Sequence, residues 1–318
     1  MKLFTSLINT IKEHFRLKLI ICFILCAILP LLILGTISYK ISYNIAKDKI
    51  LKETAISCEK NQHLLENRMT QIENLEDSIH FNLCMLCTTA EQPMSNYLDK
   101  LSAVRNNIAS IADSFNIYHV NIFLPDDSFA SKEGLTFCSL SDLKKYKVQL
   151  SDFSKQGLTP NWIFRKDINF PYMVSKGEEP SGVLSCYRYA KINSQKTCLA
   201  VHITSEELSN YLNTFSEGNP SLSYIINSEG VVLSSTDKKQ IGGSLSNEKL
   251  HAITQNLRLS HFSYDKCEII STPVHNQLFL VTETPDYYIR QSSSFLVKMI
   301  FICFMIIVPL TMLSIIWV

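Results

Sequence analysis

The sequence predicts an α+β fold: two small antiparallel sheets in tandem behind a long helix, all held between two apolar segments. Three observations carry this prediction. Apolar segments of membrane-spanning length lie near both ends, at residues 19–39 and 295–318, the second free of charge from Met299 onward. Between them, apolar residues recur at helical steps over residues 65–86 and 97–115. Beyond Phe115 the period shortens to that of strands, interrupted by turn residues.

Length and charge narrow the class. The 318 residues allow one large or two small domains once the apolar segments are set aside. A formal net charge of +1 gives no electrostatic reason to expect nucleic acid or a strongly acidic partner.

The first segment, "LIICFILCAILPLLILGTISY", follows Lys12, Arg16 and Lys18. Its length suffices for a hydrocarbon core of about 30 Å at 1.5 Å per helical residue. A cleaved signal peptide has a shorter apolar region, about 7–15 residues, ending in small residues. "GTISYKISYN" has no such site, so an uncleaved signal anchor is expected. The second segment, "MIFICFMIIVPLTMLSIIWV", follows Lys298. Each carries one proline, Pro30 and Pro309, which a transmembrane helix tolerates. Charge counting does not orient the chain: Lys2, Lys12, Arg16 and Lys18 precede the first segment, and Lys40, Lys47, Lys49 and Lys52 follow it.

Residues 40–294 hold the folded matter. Leu65, Met69, Ile72, Leu75, Ile79, Leu83 and Leu86 form one helical stripe. Ile41, Ile45, Ile50 and Ile56 extend it more loosely upstream, so the first apolar segment is expected to continue outward as one long helix. After the break "TTAEQP", Tyr97, Leu101, Val104, Ile108, Ile111 and Phe115 form a second stripe. "YHVNIFL" then reads as a strand ended by "PDD". "LTPNWIFRKD" and "INFPYM" fall in a loop-rich stretch. "GVLSCYRYA" and "TCLAVHIT" read as a hairpin around the polar turn "KINSQK". A helix "SEELSNYLNTF" follows, with Ser205 as its expected cap and Leu208 and Leu212 on its buried face. "LSYIIN" and "VVLSS" form a second hairpin through "SEG", where Gly230 supplies a positive φ. "FSYDKCEIISTPV" and "NQLFLVTETP" read as two further strands.

These elements resemble a known family. "SYIINSEGVVLSSTDKKQIGGSL", with its Ile241-Gly242 pair, is similar to the membrane-proximal half of a double Cache sensor. "STPVHNQLFLVTETP" resembles the closing strand pair of that half, and "LSCYRYAKINSQKTCLAVHIT" the corresponding hairpin of the distal half. The first apolar segment, with its proline followed by leucines, resembles the first span of YesM-type sensor histidine kinases. The resemblance implies a tandem PAS-like domain outside the cell, residues 40–294, with a distal part at 116–204 and a membrane-proximal part at 219–286. Residues 1–18 are then cytoplasmic, and 19–39 and 295–318 are transmembrane helices. It further implies a bacterial cell-membrane receptor for an extracellular small molecule, signalling as a homodimer. In the YesM type a linker and a kinase follow the second span. The sequence stops at Val318 without them, and it holds no G-x-G-x-x-G or Walker loop. The chain is therefore expected to sense and span but not to phosphorylate. A truncated product, a fragment, and a receptor acting through a partner all fit.

Aromatic residues gather around the distal hairpin: Trp162, Phe164, Tyr172, Tyr187 and Tyr189. Strand alternation sends Ser185, Tyr187 and Tyr189 to one face, and Cys186 and Arg188 to the other. Trp162, Tyr172, Tyr187 and Tyr189 are the candidate ligand-binding residues, with Arg165 as polar anchor, since small-ligand sites combine aromatic walls with a few polar groups. Packing of a small sheet explains the same residues. The arginine-tryptophan-tyrosine run by which some double Cache domains hold amino acids is absent.

Ten cysteines leave an odd seven outside the apolar segments, which argues against a complete disulfide framework. A hairpin register centred near Ile192 would set Cys186 opposite Cys198 for one bridge. His80, Cys84 and Cys87 share a helix face suited to zinc, but no fourth ligand lies nearby, so no metal is expected. Neither is a cofactor. The eight histidines show no paired serine or acid at a recognisable spacing, so no enzyme is expected. The competing function class is a two-anchor envelope or assembly protein without signalling. Continuity of helix between domain and membrane separates the two, because a transmitter must carry a shift of about 1–2 Å.

Overall fold

The structure, a computed structural model, describes residues 15–87, 94–146, 160–166, 180–192, 195–212, 220–255, 259–275, 278–293 and scattered positions between 298 and 309. The chain forms two compact units, one of residues 1–53 with 284–318, the other of residues 54–283.

Helix α1 (Phe15–Cys87) runs unbroken for 73 residues, about 110 Å at 1.5 Å per residue. No proline interrupts it after Pro30. Its expected stripe is the buried one: Leu65, Met69, Ile72 and Ile79 are at most 1% exposed. Each such side chain contributes about 1.5–3 kcal/mol on burial. Near the other end of α1, in the smaller unit, Leu32, Ile33, Leu34 and Ile37 are exposed. Among the described residues no helix is both long and apolar enough to cross a membrane. The expected spans at 19–39 and 295–318 therefore find no support there.

Helix α2 (Met94–Ser114) ends in a Schellman motif. Asn116 takes φ 49°, its N–H donates to the Asp113 carbonyl, and that of Ile117 to the Ala112 carbonyl. Of the second stripe, Ile108 is buried, while Phe115 is exposed beyond the helix end.

Strands β1 (His119–Leu124), β2 (Phe137–Ser139), β3 (Asn161–Arg165), β4 (Val183–Ile192) and β5 (Gln195–Thr204) form a sheet ordered β2-β1-β5-β4-β3. Strands β6 (Leu222–Ile226), β7 (Val232–Ser235), β8 (Ser260–Tyr264), β9 (Cys267–Val274) and β10 (Leu278–Pro285) form a second, ordered β7-β6-β10-β9-β8. The two sheets repeat one spatial order of strands. They differ at the first pair, where β1–β2 is parallel and β6–β7 antiparallel.

Four local expectations change. "NWIFR" is an edge strand rather than loop, pairing along all of its length with β4. The β4–β5 ladder runs on to Ile192 opposite Gln195, leaving two residues for a turn read from sequence as six. Backbone pairing continues there under polar side chains that cost nothing to leave in water. "FSYDKCEII" folds back on itself: Asp265 and Lys266 take φ 43° and 60°, the two positive values of a tight hairpin turn. Helix α3 (Ser205–Ser209) is capped by Thr204, whose hydroxyl accepts from the Glu207 N–H at 3.1 Å. Ser205 is fully buried and donates instead to the Leu233 carbonyl at 2.6 Å, while Ser234 donates to the Ser205 carbonyl. These two bonds tie α3 to the second sheet.

The Ile241-Gly242 pair closes the second sheet. Ile241 is buried, and Gly242, at φ 77°, donates to the Val232 carbonyl at 2.8 Å. Gly242→Ala forces a left-handed alanine and is expected to destabilise the fold by roughly 1–2 kcal/mol, read as a lower urea midpoint with unchanged slope.

Candidate functional site

Directly paired residues share a sheet face, so the register assigns each candidate side chain. One face of the first sheet carries Ile163, Ser185, His202 and His119 in one row, and Asn161, Tyr187, Ala200 and Asn121 in the next. Tyr189, Cys198 and Phe123 form a third row. The opposite face packs on α1. There Arg188 pairs with Glu76 at 3.4 Å and with Asp77, and the Trp162 indole donates to Glu73 at 3.0 Å.

The outward face, away from α1, holds a buried polar chain. Ser185 Oγ donates to His202 Nδ1 at 2.7 Å, and His202 Nε2 donates to Asn121 Oδ1 at 3.0 Å. Asn121 Nδ2 donates onward to His119 Nε2 at 3.1 Å and to the Leu135 carbonyl at 2.7 Å. Ser185 and His202 are fully buried, and Asn121 nearly so. Burial, with His119 beside it, holds His202 well below the usual imidazole range, so the ring is neutral. His119 is likewise lowered, chiefly by burial. The His202 ring stacks on His119 with centroids 6.2 Å apart and meets the edge of Tyr187 at 6.0 Å.

The Ser185–His202–Asn121 order is that of a serine hydrolase relay with an amide in place of the acid. An amide supplies no charge to stabilise an imidazolium, and the serine is sealed from solvent, so the chain orders the sheet rather than performing acyl transfer. Sequence spacing concealed it. Ser185 and His202 are cross-strand neighbours, visible only once the hairpin register is known.

The predicted residues divide. Tyr187 and Tyr189 lie on the outward face, with Tyr187 fully buried and Tyr189 half-buried against the apolar cluster of that face. Arg165 is in register for the same face, at its end, and its Nη1 donates to the Phe164 carbonyl at 3.0 Å. Trp162 does not join them: it pairs with Cys186 and points to α1. Tyr172 lies outside the described residues.

The Cys186–Cys198 bridge is corrected. Cys186 sits opposite Val201, and Cys198 opposite Tyr189. An odd offset of three residues puts the two thiols on opposite faces, and both are free. On α1, Cys84 Sγ lies 3.9 Å from His80 Nδ1, and the side chain of Cys87 lies outside the described residues.

The second sheet packs an apolar cluster on the same face, as the first does. Its equivalent surface is filled by Tyr224, Ile253, Phe279, Leu250 and Phe262. Glu283 there accepts from the Tyr224 hydroxyl and from Lys249 at 2.5 Å, and Lys249 stands 5.6 Å from the Tyr224 ring centroid. A cavity of 670 Å³ opens at the end of α2, lined by Asp113, Asn116, Glu206, Glu207 and Lys238 among others. Its acids already serve the frame: Glu206 accepts from the Ser181 N–H at 2.9 Å, and Glu207 pairs with Arg68 at 3.2 Å.

No protein-family profile matches the sequence. No curated protein matches it either. Solved structures do match in fold. The periplasmic sensory domain of the Campylobacter jejuni chemoreceptor Tlp1 superimposes with a TM-score of 0.56 at 14% identity, covering 76% of this chain and 98% of that one. The extracellular domain of the putative histidine kinase vpHK1S-Z8 gives 0.54 at 14% identity, covering 77% and 98%. That of the putative histidine kinase rpHK1S-Z16 gives 0.53 at 15%, covering 76% and 96%. The likeness to these sensory and extracellular domains is one of fold.

Proposed function

We propose that the chain is a membrane-anchored receptor whose folded domain, outside the cell, binds a small molecule on the outward face of the first sheet. The observation that carries this reading is two sheets of one strand order alongside a single 73-residue helix, in a chain similar in fold to the sensory domains above. The first sheet, within residues 116–204, is then the membrane-distal sensor. The second, within 219–286, is then the membrane-proximal part. Anchoring is supported by the exposed apolar side chains of Leu32, Ile33, Leu34 and Ile37 on α1, and of Met299, Ile302, Met305 and Ile306 near the other end of the chain. A double Cache receptor of the YesM type, working as a homodimer with a histidine kinase as output, is the finer form of this proposal.

Tyr187 and Tyr189 face the ligand side of β4, while Cys186 and Arg188 on the reverse side touch α1. A ligand that moves β4 thus moves the long helix without an intermediary. The test is a thermal-shift screen of the purified chain with sugars, peptides, amino acids and organic acids. A ligand at 100 times its Kd adds about 2.7 kcal/mol to the folded state. Tyr189→Ala and Arg165→Ala should abolish the shift while leaving the unliganded melting temperature nearly unchanged. A panel without any hit, or a hit untouched by both substitutions, defeats the proposal.

A further inference from the structure

The smaller unit contains a pocket that the sensor reading does not use. A cavity of 410 Å³ is lined by Tyr39, Lys40, Tyr43 and Arg290. We infer that this pocket binds the phosphate headgroup of an anionic phospholipid. The inference rests on the membrane-anchored reading above.

The position within the sequence is the first argument. Residues 19–39 carry no charge, and Lys40 is the first charged residue after them. On the returning segment, Arg290 is the last charged residue before the uncharged run 291–297. The first segment changes from apolar to polar at this pocket; on the returning one the polar Gln291, Ser292, Ser293 and Ser294 intervene before the apolar residues begin at Phe295, with Lys298 among them. The exposed apolar side chains of α1 reach Ile37, and Tyr39 follows. Tyrosine and cationic side chains at such a boundary sit at headgroup depth.

The chemistry inside the pocket is the second. Tyr43 donates to Asp286 Oδ1 at 3.0 Å, and Arg290 Nη2 donates to Asp286 Oδ2 at 3.0 Å. Burial pulls the Asp286 carboxyl up, but these two hydrogen bonds and the charges of Arg290 and Lys47 together hold the group below its usual range. Asp286 is therefore an ionised bracket for both side chains. Lys47 also lies close enough to act on Tyr43 and Asp286. Lys47 and Arg290 thus face one carboxylate while Lys40 lines the same pocket, and the local balance favours an anion. A guanidinium offers five N–H donors in a planar fork, and Asp286 engages one nitrogen, so a phosphate can take another edge. The Arg290 side chain is 65% exposed, which leaves that edge accessible. The Tyr39 and Tyr43 rings, with centroids 6.5 Å apart, present apolar surface beside the charges, as a glycerophosphate needs and a free phosphate does not.

The test uses the full chain in neutral detergent, with phosphatidylglycerol or phosphatidylcholine added and the retained lipid counted by native mass spectrometry. The chain should retain phosphatidylglycerol in preference. Lys40→Gln with Arg290→Gln should lower that preference roughly fivefold per removed charge. The charge-keeping Lys40→Arg, with Arg290 left in place, should preserve it, which separates loss of the site from loss of folding. Equal retention of the two lipids, or a preference indifferent to the glutamine pair, overturns the inference. Displacement of phosphatidylglycerol by inorganic phosphate also overturns it, since the site would then serve a soluble anion. Flotation with phosphatidylcholine vesicles isolates the premise. A chain that floats but shows no lipid preference loses the pocket alone. A chain that does not float loses the anchoring reading and the pocket with it.

Discussion

Glu76→Gln should raise the melting temperature of the chain at neutral and alkaline pH and leave it nearly unchanged near pH 4.5. Glu76 is a fully buried carboxyl on α1, pressed against Cys186 and Arg188 of β4. Burial pushes it up from 4.5 to about 8, and the charge of Arg188 only partly opposes this. That guanidinium is shared with Asp77 and is itself partly exposed, while Glu73 and Asp77 add negative charge nearby. The direction of the pH effect follows. Between 4.5 and about 8 the folded chain binds a proton that the unfolded chain does not, so stability falls as pH rises through that window and levels off above it. Glutamine keeps the shape without titrating. At pH 7 the variant should be more stable by on the order of 3 kcal/mol. That corresponds to roughly 6–12 °C for a domain of this size. Melting curves between pH 5 and 9 decide the matter. A gap between the two proteins that does not widen with pH would mean that Glu76 is ionised in the fold.

The same site bears on signalling, because Glu76 sits where the first sheet touches the long helix. If ligand binding moves β4, the pKa of Glu76 moves too, and binding becomes coupled to proton uptake or release. Calorimetric titration in two buffers of different ionisation enthalpy would read that coupling once a ligand is known.

Arg68→Met should be the most damaging single substitution in the frame. Arg68 is 6% exposed on α1. Its Nη2 donates to the Phe115 carbonyl at 2.5 Å and lies 3.2 Å from Glu207, which also accepts from Asn116. One side chain therefore binds the long helix, the Schellman end of α2 and the short helix α3. Removing it leaves Glu207 without its counter-charge and the Phe115 carbonyl without this donor. Breaking one side of a buried pair costs roughly 3–5 kcal/mol. Urea unfolding should show this as a large drop in midpoint. The double variant with Glu207→Gln should lose less than the sum of the two single losses. A loss below about 1 kcal/mol would show the pair to be dispensable.

Much of this architecture was legible because periodicity is local. The stripes at Leu65–Leu83 and Tyr97–Ile111 name two helices, and alternation names most strands, since each signal lies within one element. Where an element depends on its neighbour, the sequence was less informative. "NWIFR" carries no strong alternation and becomes a strand because β4 offers its edge. The Asp265-Lys266 turn lacks the glycine that usually marks such a hairpin.

The candidate site shows the same division more sharply. Which residues of β4 share a face follows from the period of two, so Tyr187 and Tyr189 could be placed together without a structure. Which residues of other strands join them depends on register, and a shift of one residue reverses every face. That is why Trp162 turns to α1, why Cys186 and Cys198 lie on opposite faces, and why the Ser185–His202–Asn121 chain could not be read from spacing. By itself the sequence determined the order of elements, the long helix and the change from apolar to polar at Lys40. Tertiary structure alone decided the pairings between strands and the burial of Glu76 and Arg68, because both depend on what a residue meets across space rather than on its neighbours in the chain.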